Sequence, residues 1–212
     1  MWAIVRLLLI SLNILGRTPI AGQVKTRLIP ALGANGAAIA HEQLLSHVVG
    51  VAKAWCEGVA NRELKLWCTP DIIHPYFNVL LPGEQRYKQP QGDLGQRMSA
   101  IVSQGLQTAD GVVLLGGDGV SVSETLLNQV EAALAQVPVV IASAEDGGYI
   151  LIAMSTHVPS LFTNMPWGTD KIAQETRLRL NSQNIQWQDF SGQWDVDNAH
   201  DWERFKRTFQ PK

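Results

Sequence analysis

Residues 7–33 read LLLISLNILGRTPIAGQVKTRLIPALG, and the division of this stretch into strand and loop decides the fold. Leu7 to Leu15 is a nearly continuous apolar run, the pattern of a first strand buried on both faces within a parallel sheet. The run comes after Arg6 and could be compared with the apolar part of a signal peptide. It contains Asn13, however, is too short to span a bilayer, and leads to no small-residue cleavage site. The chain then enters a basic loop rich in glycine and proline, Gly16 to Gly33.

Working outward, apolar runs alternate with helical spacing along the chain. Ala37 to Trp55 repeats apolar residues at helical intervals (Ile39, Leu44, Val48, Val51, Trp55). Leu64 to Cys68 reads as a second strand and Phe77 to Leu81 as a short third. Leu94 to Leu106 reads as a helix, and Val112 to Leu115 as a buried strand running into Gly116-Gly117-Asp118. Ser123 is placed to cap a helix carrying Leu126, Leu127, Val130 and Leu134. Val137 to Ala142 and Tyr149 to Met154 are strands about the turn Glu145-Asp146-Gly147-Gly148. Thr169 to Leu180 is helical, Ile185 to Phe190 an edge strand, and Asn198 to Phe209 a closing amphipathic helix. Such alternation implies an α/β fold with a largely parallel sheet covered by helices on both faces. With no repeat, linker or low-complexity segment, residues 1–212 are expected to form a single domain.

Composition limits the functional classes. Apolar residues are 46% and charged residues 17% of the chain, as in a globular protein, and the formal charge is −2. A net charge so close to zero gives no field for a nucleic-acid backbone, so any anion site has to be local. No nucleic-acid partner and no membrane span are expected. Cys56 and Cys68 lack metal-ligand spacing and read as free thiols of a cytoplasmic protein. The five histidines show no zinc spacing, His41 and His47 being six apart, and no nucleophile elbow is present.

The loop after the first strand carries the strongest local chemistry. Arg17, Lys25 and Arg27 lie between Gly16, Pro19 and Gly22. Glycines let backbone N–H groups approach phosphate, arginine grips phosphate oxygens in pairs, and lysine acts as a point charge. The alternative is a solvated basic loop with no ligand. A P-loop is excluded because five residues separate the glycines and Lys25 does not come directly after the second one.

Three acidic segments complement this loop. Asp118, at the carboxyl end of a buried strand, is placed to ligate a divalent cation, or simply to turn the chain. Asp195-Val196-Asp197 alternates about an apolar residue, so an extended segment would point both carboxylates the same way and one could complete a metal site. Asp197 or Asn198 also precedes a helix and is placed to cap it. Asp146-Gly147-Gly148 is either a tight turn or a close approach to substrate. Trp167 is placed to stack on a ring or to pack in the core, and Trp2, Trp187, Trp194 and Trp202 are assigned to packing.

In combination, the stretch from Arg17 to Gly33, Gly92-Asp93-Leu94-Gly95 with Arg97-Met98, Gly116 to Asp118, Asp146 to Ile152, Trp167 to Thr169, and Asp195 to Asp197 resemble the bacterial selenodomain-associated transferase, or glycosyltransferase-like, family. That family is related to 2-phospho-L-lactate guanylyltransferase and the molybdenum cofactor guanylyltransferases. The resemblance implies the nucleotide-diphospho-sugar transferase fold of GT-A type, three α/β/α layers with a mixed, mainly parallel sheet. It implies phosphate contacts from Arg17, Gly22, Lys25 and Arg27, and a Mg²⁺ or Mn²⁺ ion on Asp118 and Asp197. Gly92, Asp93 and Arg97 would lie near the nucleotide. Asp146, Gly147, Gly148, Trp167 and Thr169 would face the sugar or acceptor, with Asp118, Asp146 and Lys25 as the catalytic groups. The chain departs from the family where Gly119-Val120 replace Cys or Ser and then Pro, where Ala142-Ser143-Ala144 replace Gly-Pro-Ala, and where Asn198-Ala199-His200 replace Thr-Pro-Glu.

The expected partners are therefore a nucleotide-sugar or nucleoside triphosphate and a small-molecule acceptor. Three functions are open to such a chain: a metal-dependent glycosyltransferase releasing a nucleoside diphosphate, a nucleotidyltransferase releasing pyrophosphate, or a nucleotide-binding family member without turnover.

Overall fold

The computed structural model describes residues 7–209, so the expectation for Trp2 lies outside the described residues. The apolar start becomes strand β1, Ile10–Arg17, displaced a few residues along the chain from the expected run. Its parallel neighbours are β2 (Arg62–Thr69) and β4 (Gly111–Gly116), and β2 carries β3 (Arg86–Lys88) in parallel outside it. On the other side β6 (Tyr149–Met154) runs antiparallel to both β4 and β5 (Val139–Ser143), and β7 (Trp187–Asp189) closes the edge in parallel with β5. Among the described residues, the sheet order is β3-β2-β1-β4-β6-β5-β7. The sheet is mixed and mainly parallel, as the sequence implied.

Side-chain alternation splits the core between the two faces. Ile10, Leu12 and Ile14 of β1 join Val113 and Leu115 of β4 on one face. There they meet helix α1 (Ile29–Cys56, interrupted at Gly33), α2 (Pro75–Leu80) and α4 (Glu124–Leu134). Val112 and Leu114 face the other way, toward α3 (Leu94–Gly105) and α5 (Ile172–Ser182). Asn13, the residue that argued against a signal peptide, is buried but satisfied: its amide donates to Ser11 O and its oxygen accepts from Trp67 Nε1 at 2.7 Å. The last helix, α6 (Ala199–Phe209), packs Trp202 and Phe205 with Leu44 and Val196, beside the start of α1.

One expected strand is corrected. Phe77 to Leu81 lies mostly in helix α2, not in a strand. Pro75 starts the helix, the His74 ring accepts from the Tyr76 amide, and Phe77 and Leu80, one turn apart, are both buried. The third strand is instead Arg86–Lys88. Ser123 caps α4 as expected, accepting from Leu126 N at 3.1 Å.

Candidate active site

The parallel strands β1 and β4 end side by side, Leu15 opposite Gly116. In sheets of this kind ligands bind beyond the carboxyl ends of the strands. Gly117 lets the chain turn there: a Cβ would stand 2.8 Å from Leu15 O and 2.9 Å from Leu45 Cδ1. The turn thereby brings Asp118 against the loop that leaves β1.

That loop sends its lysine inward. After the turn at Gly22, Lys25 takes a left-handed backbone (φ 44°, ψ 45°), which is rare for a residue with a side chain. Its ammonium group donates to an Asp118 carboxylate oxygen and to Val196 O, each at 2.5 Å, and lies 3.6 Å from Asp197. Arg27 donates to the other Asp197 oxygen at 2.7 Å. Arg17 is exposed at the mouth, and its backbone carbonyl accepts from His41 Nε2 at 2.8 Å. Two of the loop cations, Lys25 and Arg27, thus meet carboxylates directly.

The segment Asp195-Val196-Asp197 behaves as its alternation implied. Val196 is fully buried among Leu28, Leu44 and Phe205, and the flanking carboxylates gather with Asp118 on the open side. One oxygen from each of Asp118, Asp195 and Asp197 lies within 4.8 Å of the others. The segment is anchored by α6. Asn198 Oδ1 accepts from the His200 and Asp201 amides, while Asp201 Oδ2 accepts from the Asn198 amide, a reciprocal cap.

Electrostatics reflect this crowding. Burial alone would lower the Lys25 pKa, but the charge and hydrogen bond of Asp118 and the charges of Asp197 and Asp195 outweigh it and raise it. Burial pushes the Asp118 carboxyl up, and the Lys25 ammonium more than reverses that, leaving it lowered. Asp195 has no such direct partner. Burial and the charges of Asp118, Asp146 and Asp197 push its carboxyl up to about 7. Three clustered carboxylates against the Lys25 ammonium and the exposed Arg27 guanidinium carry an excess of negative charge when ionised, on hard oxygen donors, which fits a divalent cation.

Two clefts meet at this cluster. The smaller, about 320 Å³, is lined by Arg17, Lys25, Thr26, Arg27 and His41. The larger, about 900 Å³, extends over β4 and β6. Leu15, Arg27, Gly117, Asp118 and Asp197 belong to both. Asp146, Gly148, Trp167 and Thr169 line the larger cleft. Gly147 has φ +89°, and a Cβ there would collide with the Asp170 carbonyl oxygen, so the turn is pressed onto the segment after Trp167. Asp146 accepts from the Gly148 amide at 2.9 Å, and Thr169 donates to Pro166 O.

Other candidates are placed differently. Asp93 caps α3 in a box with Gln96, and Arg97 donates to Gly92 O and Gln89 Oε1. From that segment, Leu94 and Met98 line the larger cleft. Sequence reasoning did not single out His41 for the site, nor Arg204, which binds Glu145 at 2.7 Å and stacks over Trp194 at 4.1 Å. Asp195, already suspect from its spacing, joins the cluster on equal terms with Asp197.

A model of the family described as "Uncharacterized protein conserved in bacteria (DUF2064)" matches residues 54–169, more than half of the chain. No curated protein matches. Among solved structures, a proposed nucleotide-diphospho-sugar transferase from Desulfovibrio desulfuricans G20 superposes with a TM-score of 0.83 at 24% identity, covering 96% of this chain and 88% of that one. Rv0371c from Mycobacterium tuberculosis H37Rv, in complex with manganese, gives a TM-score of 0.57 at 15% identity, covering 94% and 98%. CMP:2-keto-3-deoxy-manno-octonic acid synthetase complexed with CTP gives 0.55 at 14% identity, covering 93% and 97%. These likenesses establish the nucleotide-diphospho-sugar transferase fold.

Proposed function

This chain belongs to the bacterial family DUF2064, and from that premise we propose that it is a glycosyltransferase using a nucleotide-sugar donor and releasing the nucleoside diphosphate. The observation that carries the reading is the meeting of a basic and an acidic cleft at three carboxylates beyond β1 and β4. Asp118, Asp195 and Asp197 would hold Mg²⁺ or Mn²⁺. Bound there, such an ion supplies charge neutralisation to a departing diphosphate. The manganese complex of the Mycobacterium tuberculosis structure of like fold supports this choice of cation.

The chain's own groups do the rest. Arg17, Lys25 and Arg27 bring cations to the diphosphate side, where developing negative charge needs fixed donors. Gly22 gives the loop its turn before Lys25. Asp146, with the Gly147-Gly148 turn, Trp167 and Thr169, faces the sugar and acceptor. An acceptor hydroxyl oxygen forms a bond to the anomeric carbon as the bond from that carbon to the diphosphate oxygen breaks. The electron pair departs with the diphosphate, and the hydroxyl proton passes to the Asp146 carboxylate.

A second reading is nucleotidyl transfer, in which an acceptor attacks the α-phosphate of a nucleoside triphosphate and pyrophosphate leaves. The CTP-bound synthetase of like fold favours it. The leaving group separates the two. Incubation with nucleotide-sugars and nucleoside triphosphates plus Mn²⁺ is expected to release nucleoside diphosphate. Pyrophosphate would move the assignment to nucleotidyl transfer, and tight nucleotide binding with neither product would make the chain a non-catalytic binder.

A further inference from the structure

We infer that the larger cleft takes a hydroxyl-bearing acceptor that carries no phosphate or carboxylate, and presents to it both carboxylates and apolar, aromatic side chains. The inference rests on the transferase reading for the acceptor's role, and on the cleft lining alone for its chemistry.

The charge on the lining is lopsided. Besides the cluster at Asp118, Asp195 and Asp197, the cleft is lined by Glu145, Asp146, Asp170 and Asp201. Its only lining cations among the described residues are Arg27 and Arg204, and both are engaged: Arg27 on Asp197 at 2.7 Å, Arg204 on Glu145 at 2.7 and 3.2 Å. Arg17, and Lys25 with its ammonium held by Asp118 and Val196 O, line the smaller cleft instead. A cation held by Asp118, Asp195 and Asp197 compensates its own ligands and leaves Asp146 and Asp170 facing the remaining volume. A phosphorylated acceptor would enter between carboxylates with no free guanidinium or ammonium to receive it, and like-charge juxtaposition of this kind is costly. A hydroxyl group is in the opposite position, because an ionised carboxylate only accepts hydrogen bonds and a hydroxyl can donate.

The apolar part of the lining is formed by Leu94, Met98, Tyr149, Trp167 and Ile172. Trp167 and Tyr149 stand edge to face, with centroids 6.5 Å apart, offering ring surface to a flat apolar or carbohydrate face. The Tyr149 phenolic oxygen is buried and has no hydrogen-bond partner among the described residues. That oxygen has almost no accessible surface, so what Tyr149 offers the cleft is its ring and not its hydroxyl. The cleft combines a large volume and an apolar, aromatic lining with an excess of carboxylate acceptors, and it is the carboxylates that favour a neutral polyol over an anion.

The test uses the full chain with the diamagnetic Mg²⁺ and two matched probes, methyl β-D-glucoside and its 6-phosphate, with binding followed by ligand-observed NMR. The unphosphorylated probe is expected to bind at least about ten-fold more tightly, roughly one decade per like charge introduced. In Asp170→Lys, which places a cation on the cleft wall, the preference is expected to shrink or reverse. Equal or tighter binding of the phosphate by the unaltered protein, binding of neither probe, or a preference unmoved by Asp170→Lys would each overturn the inference. A parallel thermal-shift series with nucleotide-sugars keeps the transferase reading separate: loss of nucleotide binding with the probe preference intact refutes the donor assignment and not the character of this cleft.

Discussion

The two clefts that share Asp118 and Asp197 are assembled in different ways. Most of the smaller one comes from a single piece of chain, Arg17 to Arg27, closed by His41 and the Asp118 turn. The larger draws on the ends of β1 and β4, the start of α3, the β5–β6 turn, the stretch from Trp167 to Ile172, and the segment from Trp194 to Arg204. A site made of one loop shows its chemistry in one line of sequence, as the basic loop did. A site gathered from six places shows it only after folding has set its parts side by side.

That contrast can be broken most sharply at Lys25, which supplies the internal counter-charge where the clefts meet. Lys25→Met keeps much of the stem and removes the ammonium, leaving three carboxylates together. Loss of one partner from a fully buried pair costs about 3–5 kcal/mol. The Asp118 side chain is 36% exposed, so the expected loss in cation-free urea unfolding is smaller, about 1–3 kcal/mol. Mn²⁺ should recover most of it, and unchanged stability would show that Lys25 is not the counter-charge.

A second effect is expected from Asp195. Burial and the charges of Asp118, Asp146 and Asp197 raise its carboxyl from 3.8 to about 7. The folded chain therefore keeps a proton that the unfolded chain has already released, and the slope of stability with pH is negative in that interval. Cation-free protein should lose stability as pH rises from about 4 through about 7, and Asp195→Asn should flatten that dependence. Stabilisation by Mn²⁺ should be weaker at about pH 5 than at about pH 8, because the ion must displace the proton. Urea unfolding in EDTA and in Mn²⁺ across this range measures both, and an unaltered slope in Asp195→Asn would remove the assignment.

The smallest effect separates the clefts from their surroundings. Asp93→Ala should cost about 1 kcal/mol through loss of the α3 cap, with the nucleotide-dependent thermal shift retained. Loss of that shift at unchanged stability would place Asp93 in the site.

Much of the fold was legible because its signals are local. The buried first strand, the Ser123 cap and the strands about Asp146-Gly147-Gly148 can be read from apolar runs and turn residues. The helix at Pro75–Leu80 was misread as a strand because so short an apolar run has no period of its own, and Pro75 with the His74 cap decided it. In the site, the paired Asp195 and Asp197 could be read from their spacing. The direct grip of Lys25 on Asp118 could not, since 93 positions separate them. The altered surroundings of the acidic turn also find their reason in the fold. Ser143 stands where the resemblance leads one to expect proline, and its backbone N–H and hydroxyl both donate to Asp189, at 3.1 and 2.9 Å. Proline has no N–H to give, so hydrogen bonds fasten here what a ring would stiffen.

The central claim is that the carboxylates where the clefts meet bind nucleotide-sugar through a divalent cation. Thermal unfolding of the wild-type chain and of Asp118→Asn/Asp197→Asn, each with a panel of nucleotide-sugars with and without Mn²⁺, tests it most directly. The account predicts a Mn²⁺-dependent stabilisation in the wild type that is absent from the double variant; a full shift in the double variant would contradict it.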